Sequence, residues 1–182
     1  MIDPRTVELP TIYKLPKEFV EKIGHVIVAF SYLEYLLSRV IYDLLDVGQK
    51  EGRLAVREPR ATDRFEIITD LLELRQITVL ADIDVIYKSI TDVQNRRNNI
   101  AHGVWLEHPN TKQIFLRMTK GKWQPDPKKR GKVKKIIHPE GLEYGEPELS
   151  QLCVDIDAVT TDVFSMAQEV GGKLDSLRKK HP

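Results

Sequence analysis

From Pro16 to Val47 the apolar residues Phe19, Ile23, Val26, Ile27, Phe30, Leu33, Leu37, Val40, Ile41 and Leu44 recur at steps of three and four. That spacing gathers them on one face of a helix, and such a face is stable only against another apolar surface. The same period returns after Pro147, a residue suited to a first helical turn, through Leu149, Leu152, Ile156, Val159, Val163, Met166, Val170, Leu174 and Leu177. Two stripes of this length have to be buried on other helices, so the chain is expected to be mainly α.

The stretch between them supplies two more. Val47 to Arg60 is polar, with Gly48, Gly52 and Pro59, and reads as a connection, Gly48 ending the first helix. A second helix is expected to start at Thr62 or Asp63, with Glu66 in the capping-box place, and to run to about Gln76 behind Phe65, Ile68, Leu71 and Leu72. A third is expected from about Asp82 to Ala101, with Ile83, Ile86, Ile90, Val93 and Ile100 on one stripe and Gly103 as its C-cap. Arg97 falls on that stripe, where the period asks for leucine or isoleucine. In the last helix Gly171 and Gly172 each cost about 1 kcal/mol relative to alanine, which predicts fraying or a kink. Four amphipathic helices imply an up-and-down four-helix bundle.

From Gly103 to Gly145 the composition changes, with five of the ten glycines and four of the ten prolines. Val104 to His108, Gln113 to Thr119 and Lys132 to His138 read as short strands, and 120–131 as their mobile tip. The expected organisation is one domain over 1–182, with an N-terminal arm at 1–15 and a β-hairpin or three-stranded insert at 104–146. A chain of 182 residues buries roughly 70% of its unfolded surface, enough for one core.

Composition excludes several classes. Hydrophobic residues at 41% and charged residues at 30% exclude disorder. The longest apolar run, Val26 to Phe30, is far short of the roughly 20 residues a bilayer span needs, so no membrane partner is expected. Asp3, Glu8 and three prolines before Lys17 do not make a signal peptide, and Cys153 is the single cysteine; both point to the cytoplasm. One cysteine removes zinc-finger readings, and His25, His108, His138 and His181 have no ligand spacing, so no metal or cofactor is expected.

The net charge of +1 hides an asymmetry. Between Asn110 and Lys135 lie Lys112, Arg117, Lys120, Lys122, Lys128, Lys129, Arg130, Lys132, Lys134 and Lys135 against Asp126 alone, a local +9 that leaves −8 on the rest. Binding to a polyanion depends on local phosphate neutralisation, and Trp123 in such a segment can stack an unpaired base. RNA is therefore a candidate partner. The plainer reading is a solvated lysine-rich loop that protects a strand edge.

The most specific run is Asn95-Arg96-Arg97-Asn98-Asn99-Ile100-Ala101-His102-Gly103. Asn98 and His102 are four apart and share a helix face, whereas Arg97 and His102 stand about 140° apart on an ideal helix. The turn at Gly103 would have to bring His102 round for both to act on one phosphate. Arginine offers a permanent planar fork to phosphate oxygens, and histidine exchanges protons near neutral pH. Arg96 would face solvent or contact phosphate. Taken alone, such residues near a helix end more often form a cap or an ion pair than a catalytic set.

Arg97-Asn98-Asn99-Ile100-Ala101-His102 resembles the Arg-Asn-x-x-x-His signature of the HEPN superfamily, including the Ala-His-Gly ending. The resemblance implies an up-and-down helical bundle, commonly a homodimer, with metal-independent endoribonuclease activity in toxin–antitoxin, antiviral-defence or RNA-processing systems. It implies His102 as general acid/base for attack of a ribose 2′-hydroxyl on the adjacent phosphate, Arg97 as stabiliser of the developing charge, and Asn98 as the group that holds the geometry. Glu34 resembles the acid on the first helix of related bundles and is expected to pair with Arg97, since an unpaired charge on an inner stripe is costly. One subgroup continues its motif as His-x-Tyr, the tyrosine being modified by an antitoxin; Val104 stands there in this chain, which argues against that control. The superfamily also contains non-catalytic members, so a module that binds nucleic acid or a partner protein is the alternative, as is a pure assembly element for a neighbouring protein.

Overall fold

The computed structural model describes residues 15–56, 59–107, 112–118, 122–125, 134–137 and 145–180. They form a mainly helical chain with a little antiparallel β structure: α1 (Lys17–Leu45), α2 (Gln49–Val56), α3 (Ala61–Leu74), α4 (Ile83–His102), β1 (Gly103–Glu107), β2 (Ile114–Met118), β3 (Lys122–Pro125), β4 (Lys134–Ile137) and α5 (Glu146–Lys180). The long helices fall within a residue or two of where the stripes put them.

Their ends depart from the expected signals. α1 stops at Asp46 rather than Gly48: Asp46 sits at φ 59°, and the Val47 amide donates back to the Tyr42 carbonyl at 3.1 Å. α3 ends the same way, Gln76 at φ 55° and the Ile77 amide on the Leu72 carbonyl at 2.9 Å. Both are Schellman-type caps built without glycine. At its start α3 has Arg60, not Thr62 or Asp63, in the capping position, and Asp63 accepts from the Arg60 backbone amide at 3.2 Å. Gly103 is no C-cap; α4 is helical through His102 and the chain enters β1 directly.

Further expectations need correction. Val47–Arg60 contains the short helix α2, so there are five helices among the described residues, not four. Gly52 makes this possible, because a Cβ there would lie 2.3 Å from the Tyr42 ring. Lys122–Pro125, assigned to a mobile tip, is a strand. The insert is neither a single hairpin nor a three-stranded sheet: β1 pairs with β2, and β3 with β4, in two separate antiparallel sheets. α5 continues through Gly171 and Gly172 to Lys180.

The chain divides into two compact units, Met1–Ile23 with Asn98–Gln151 and Gly24–Arg97 with Leu152–Pro182. The first has Phe19, Ile100, Leu106, Leu116 and Leu149 buried. There Trp105 meets Phe19 edge to face, centroids 5.8 Å apart, and Lys22 pairs with Glu146. The second buries Phe30, Leu33, Leu37 and Ile41 of α1, Phe65 and Ile68 of α3, Ile90 and Val93 of α4, and Ile156, Val159 and Val163 of α5. Thr62 and Gln94, its buried polar residues, satisfy each other: the Thr62 amide donates to the Gln94 side-chain oxygen, and the Gln94 amide to the Thr62 hydroxyl, both at 3.3 Å.

By length and composition α1 is also apolar enough to cross a membrane, against the expectation from its short apolar runs, and 33% of its most apolar stretch is buried. A core helix passes the same test.

Candidate functional site

The candidate residues sit at the end of α4, where Arg97 closes the first segment of one unit and Asn98 opens the second segment of the other. On the Arg97 side, the guanidinium lies over Phe30, its carbon 5.4 Å from the ring centroid. Phe30 is 2% exposed and Arg97 half-buried. This explains how a cation occupies the inner stripe: the ring face supplies negative potential and the aliphatic stem covers apolar surface.

Glu34 does not serve as the expected partner of Arg97. Its carboxylate is taken by Arg64 of α3, at 3.2 Å, with the Arg64 side chain 12% exposed. Arg64 lies four residues before buried Ile68 and three after buried Ala61, so it too is a cation at stripe spacing. That signal, used for Arg97, would have found it. Arg96 is half-buried rather than fully solvent-facing: it pairs with Asp92 at 3.0 Å and with Asp155 of α5. It works as a clamp between α4 and α5.

In the other unit, Asn98 is half-buried and His102, the last residue of α4, is exposed. They are one helical turn apart on the same face. Gly103 follows because nothing larger fits: a Cβ would lie 2.5 Å from Leu116 Cδ1 and 2.8 Å from the Asn99 carbonyl oxygen. The backbone thus presses β1 onto β2 directly beyond His102. An exposed imidazole one turn from a carboxamide can exchange a proton with a bound hydroxyl while the amide holds a phosphate oxygen.

The basic segment is described in part. Lys122 and Trp123 lie on β3, and Lys134 and Lys135 on β4; the register sets Lys122 opposite Ile137, Trp123 opposite Ile136, Gln124 opposite Lys135 and Pro125 opposite Lys134. Lys112 pairs with Glu107 at 3.1 Å. Lys120, Lys128, Lys129, Arg130 and Lys132 lie outside the described residues, as do His108, His138, His181 and most of the 1–15 arm. Among the described residues no three His, Cys, Asp or Glu side chains cluster as metal ligands.

The chain matches no known protein family, curated protein or solved structure.

Proposed function

We propose that the chain is a metal-independent endoribonuclease of HEPN type, acting as a cytoplasmic homodimer, with its four long helices as an up-and-down bundle. The observation that carries the reading is the exposed His102 one turn after Asn98 at the end of α4, followed at once by the β segment that opens into the +9 stretch.

In this reaction the ribose 2′-oxygen forms a bond to phosphorus while the bond to the 5′-oxygen breaks, leaving a 2′,3′-cyclic phosphate and a 5′-hydroxyl. His102 of one copy takes the 2′-hydroxyl proton and His102 of a second copy returns a proton to the 5′-oxygen. Arg97 stabilises charge on the non-bridging oxygens and Asn98 fixes one of them. Residues five apart on a helix point about 140° from each other, which a single copy has to overcome and a pair of copies does not. Lys122, Trp123, Lys134 and Lys135, with the basic residues between β3 and β4, hold the strand. A neighbouring-gene antitoxin is the natural partner for such an activity.

Purified protein incubated with mixed RNA tests this, beside His102→Ala. Cyclic-phosphate products from the wild type, reduced about 10²- to 10⁴-fold in the variant, are expected. Equal cleavage by both, or by neither, overturns the enzymatic reading. The engagement of Arg96 by two carboxylates and of Arg97 by Phe30 favours a second reading, a non-catalytic RNA-binding module. Salt-dependent RNA binding without turnover, lost when Lys128 to Lys135 are neutralised, would select it.

A further inference from the structure

Between α1, α2 and the start of α3, within the unit Gly24–Arg97 and Leu152–Pro182, opens a cavity of about 780 Å³. None of its walls belongs to α4. Its size is that of a small-molecule site. Two arginines line it, Arg53 from α2 and Arg64 from α3, against one carboxylate among the described lining residues, Glu34.

The state of Arg64 decides what the cavity suits. Its Nη1 is 3.2 Å from Glu34 Oε1, close enough for the charges to attract. Yet Nε and Nη1, both buried, make no hydrogen bond to any described residue. Charge is compensated while directional donors are left over, and buried donors without acceptors are costly. The serines of the wall add no anionic acceptor: Ser31 and Ser38 donate to the Ile27 and Glu34 carbonyls of their own helix, at 2.8 and 2.9 Å. Tyr35, also in the lining, is 47% exposed and stacked with Tyr32, centroids 6.2 Å apart, which adds an aromatic surface to the two cations.

We propose that this cavity binds a small oxyanion ligand, a phosphate ester or a carboxylate, whose oxygens accept from Arg64 and Arg53. Such an oxygen set supplies what Glu34 does not, acceptors for the leftover donors of Arg64, and the exposed Arg53 closes over it from α2. Charge-assisted bonds of this type are the strong ones, and arginine's planar fork suits both oxyanions. Glu34 then competes with the ligand for Arg64.

Thermal unfolding of the full chain in graded sodium phosphate and, separately, sodium succinate, each matched in ionic strength with sodium chloride, tests the proposal. A saturable rise of the midpoint above the chloride reference is expected for at least one anion. Phosphate alone assigns a phosphate ester, succinate alone a carboxylate, and both assign the shared oxyanion chemistry. Arg53→Gln, at an exposed position on a short helix, should weaken the response about tenfold in affinity. Glu34→Gln, which removes the competitor, should strengthen it severalfold. No rise above chloride with either anion, an unchanged response in Arg53→Gln, or a weakened one in Glu34→Gln overturns the assignment.

Discussion

Arg97 lies over the ring of Phe30, its guanidinium carbon 5.4 Å from the centroid. Phe30 is buried in α1 and Arg97 continues the buried spacing of Ile86, Ile90 and Val93 in α4, so the pair joins the two helices through a charge held on a π face. The same guanidinium is the group proposed to meet phosphate. Its fold role and its chemical role are therefore separable only by measurement.

A double-mutant cycle separates them. Phe30→Leu keeps the apolar volume and removes the ring; Arg97→Met keeps the stem and removes the charge. Denaturant unfolding of both singles and the double should give a coupling of about 0.5–2 kcal/mol, the range of a partly desolvated cation–π pair. Additive losses would show that the Phe30 ring contributes nothing to Arg97 beyond apolar volume.

The glycines predict changes of opposite sign. Gly103→Ala should cost about 1–3 kcal/mol, since the new Cβ meets Leu116 and the Asn99 carbonyl. Made in a Leu116→Ala background, the same change should cost less but not nothing, because the carbonyl stays. Gly171 and Gly172 have nothing within 4 Å of a built Cβ and lie inside α5, so alanine at either should stabilise by about 0.5–1 kcal/mol. A shared sign at Gly103 and Gly171 would contradict the packing described.

These positions also show what can be read in the sequence and what cannot. The stripes of α1, α4 and α5 are legible because burial repeats every three to four residues over many turns, enough to outweigh Gly171 and Gly172 in α5. α2 is hidden because its eight residues put their apolar members, Leu54 to Val56, in one run and carry no stripe; its reason to form, Gly52 against Tyr42, is a tertiary contact. The caps at Asp46 and Gln76 are hidden because glycine is the expected left-handed residue and neither site has one. Arg97 was legible as a cation out of period. Its partner was not, since the period places a side chain on a face without saying which residue opposite lies nearest. Glu34 was free to meet either inner cation, and the α3 register gave it Arg64.

Glu169 gives a pH prediction. Its carboxylate accepts from Lys173 at 2.7 Å and from the Leu80 backbone amide at 2.9 and 3.1 Å, while Lys173 also reaches the Thr78 carbonyl. The Lys173 hydrogen bond, and after it the Leu80 amide, hold the carboxyl below its ordinary pKa. A carboxyl whose folded pKa is lower than its unfolded one binds more protons when unfolded. Its contribution is complete above the ordinary glutamate value, about 4.3, and disappears as the pH falls below it. Wild type should therefore melt above Glu169→Gln by a roughly constant margin from about pH 5 to 7, and the margin should close as the pH falls below about 4. The pair is partly exposed, so the margin should also shrink in high salt. Melting curves that stay parallel down to the acid limit would show that the link from the Thr78–Leu80 segment to α5 rests on packing rather than on this carboxylate.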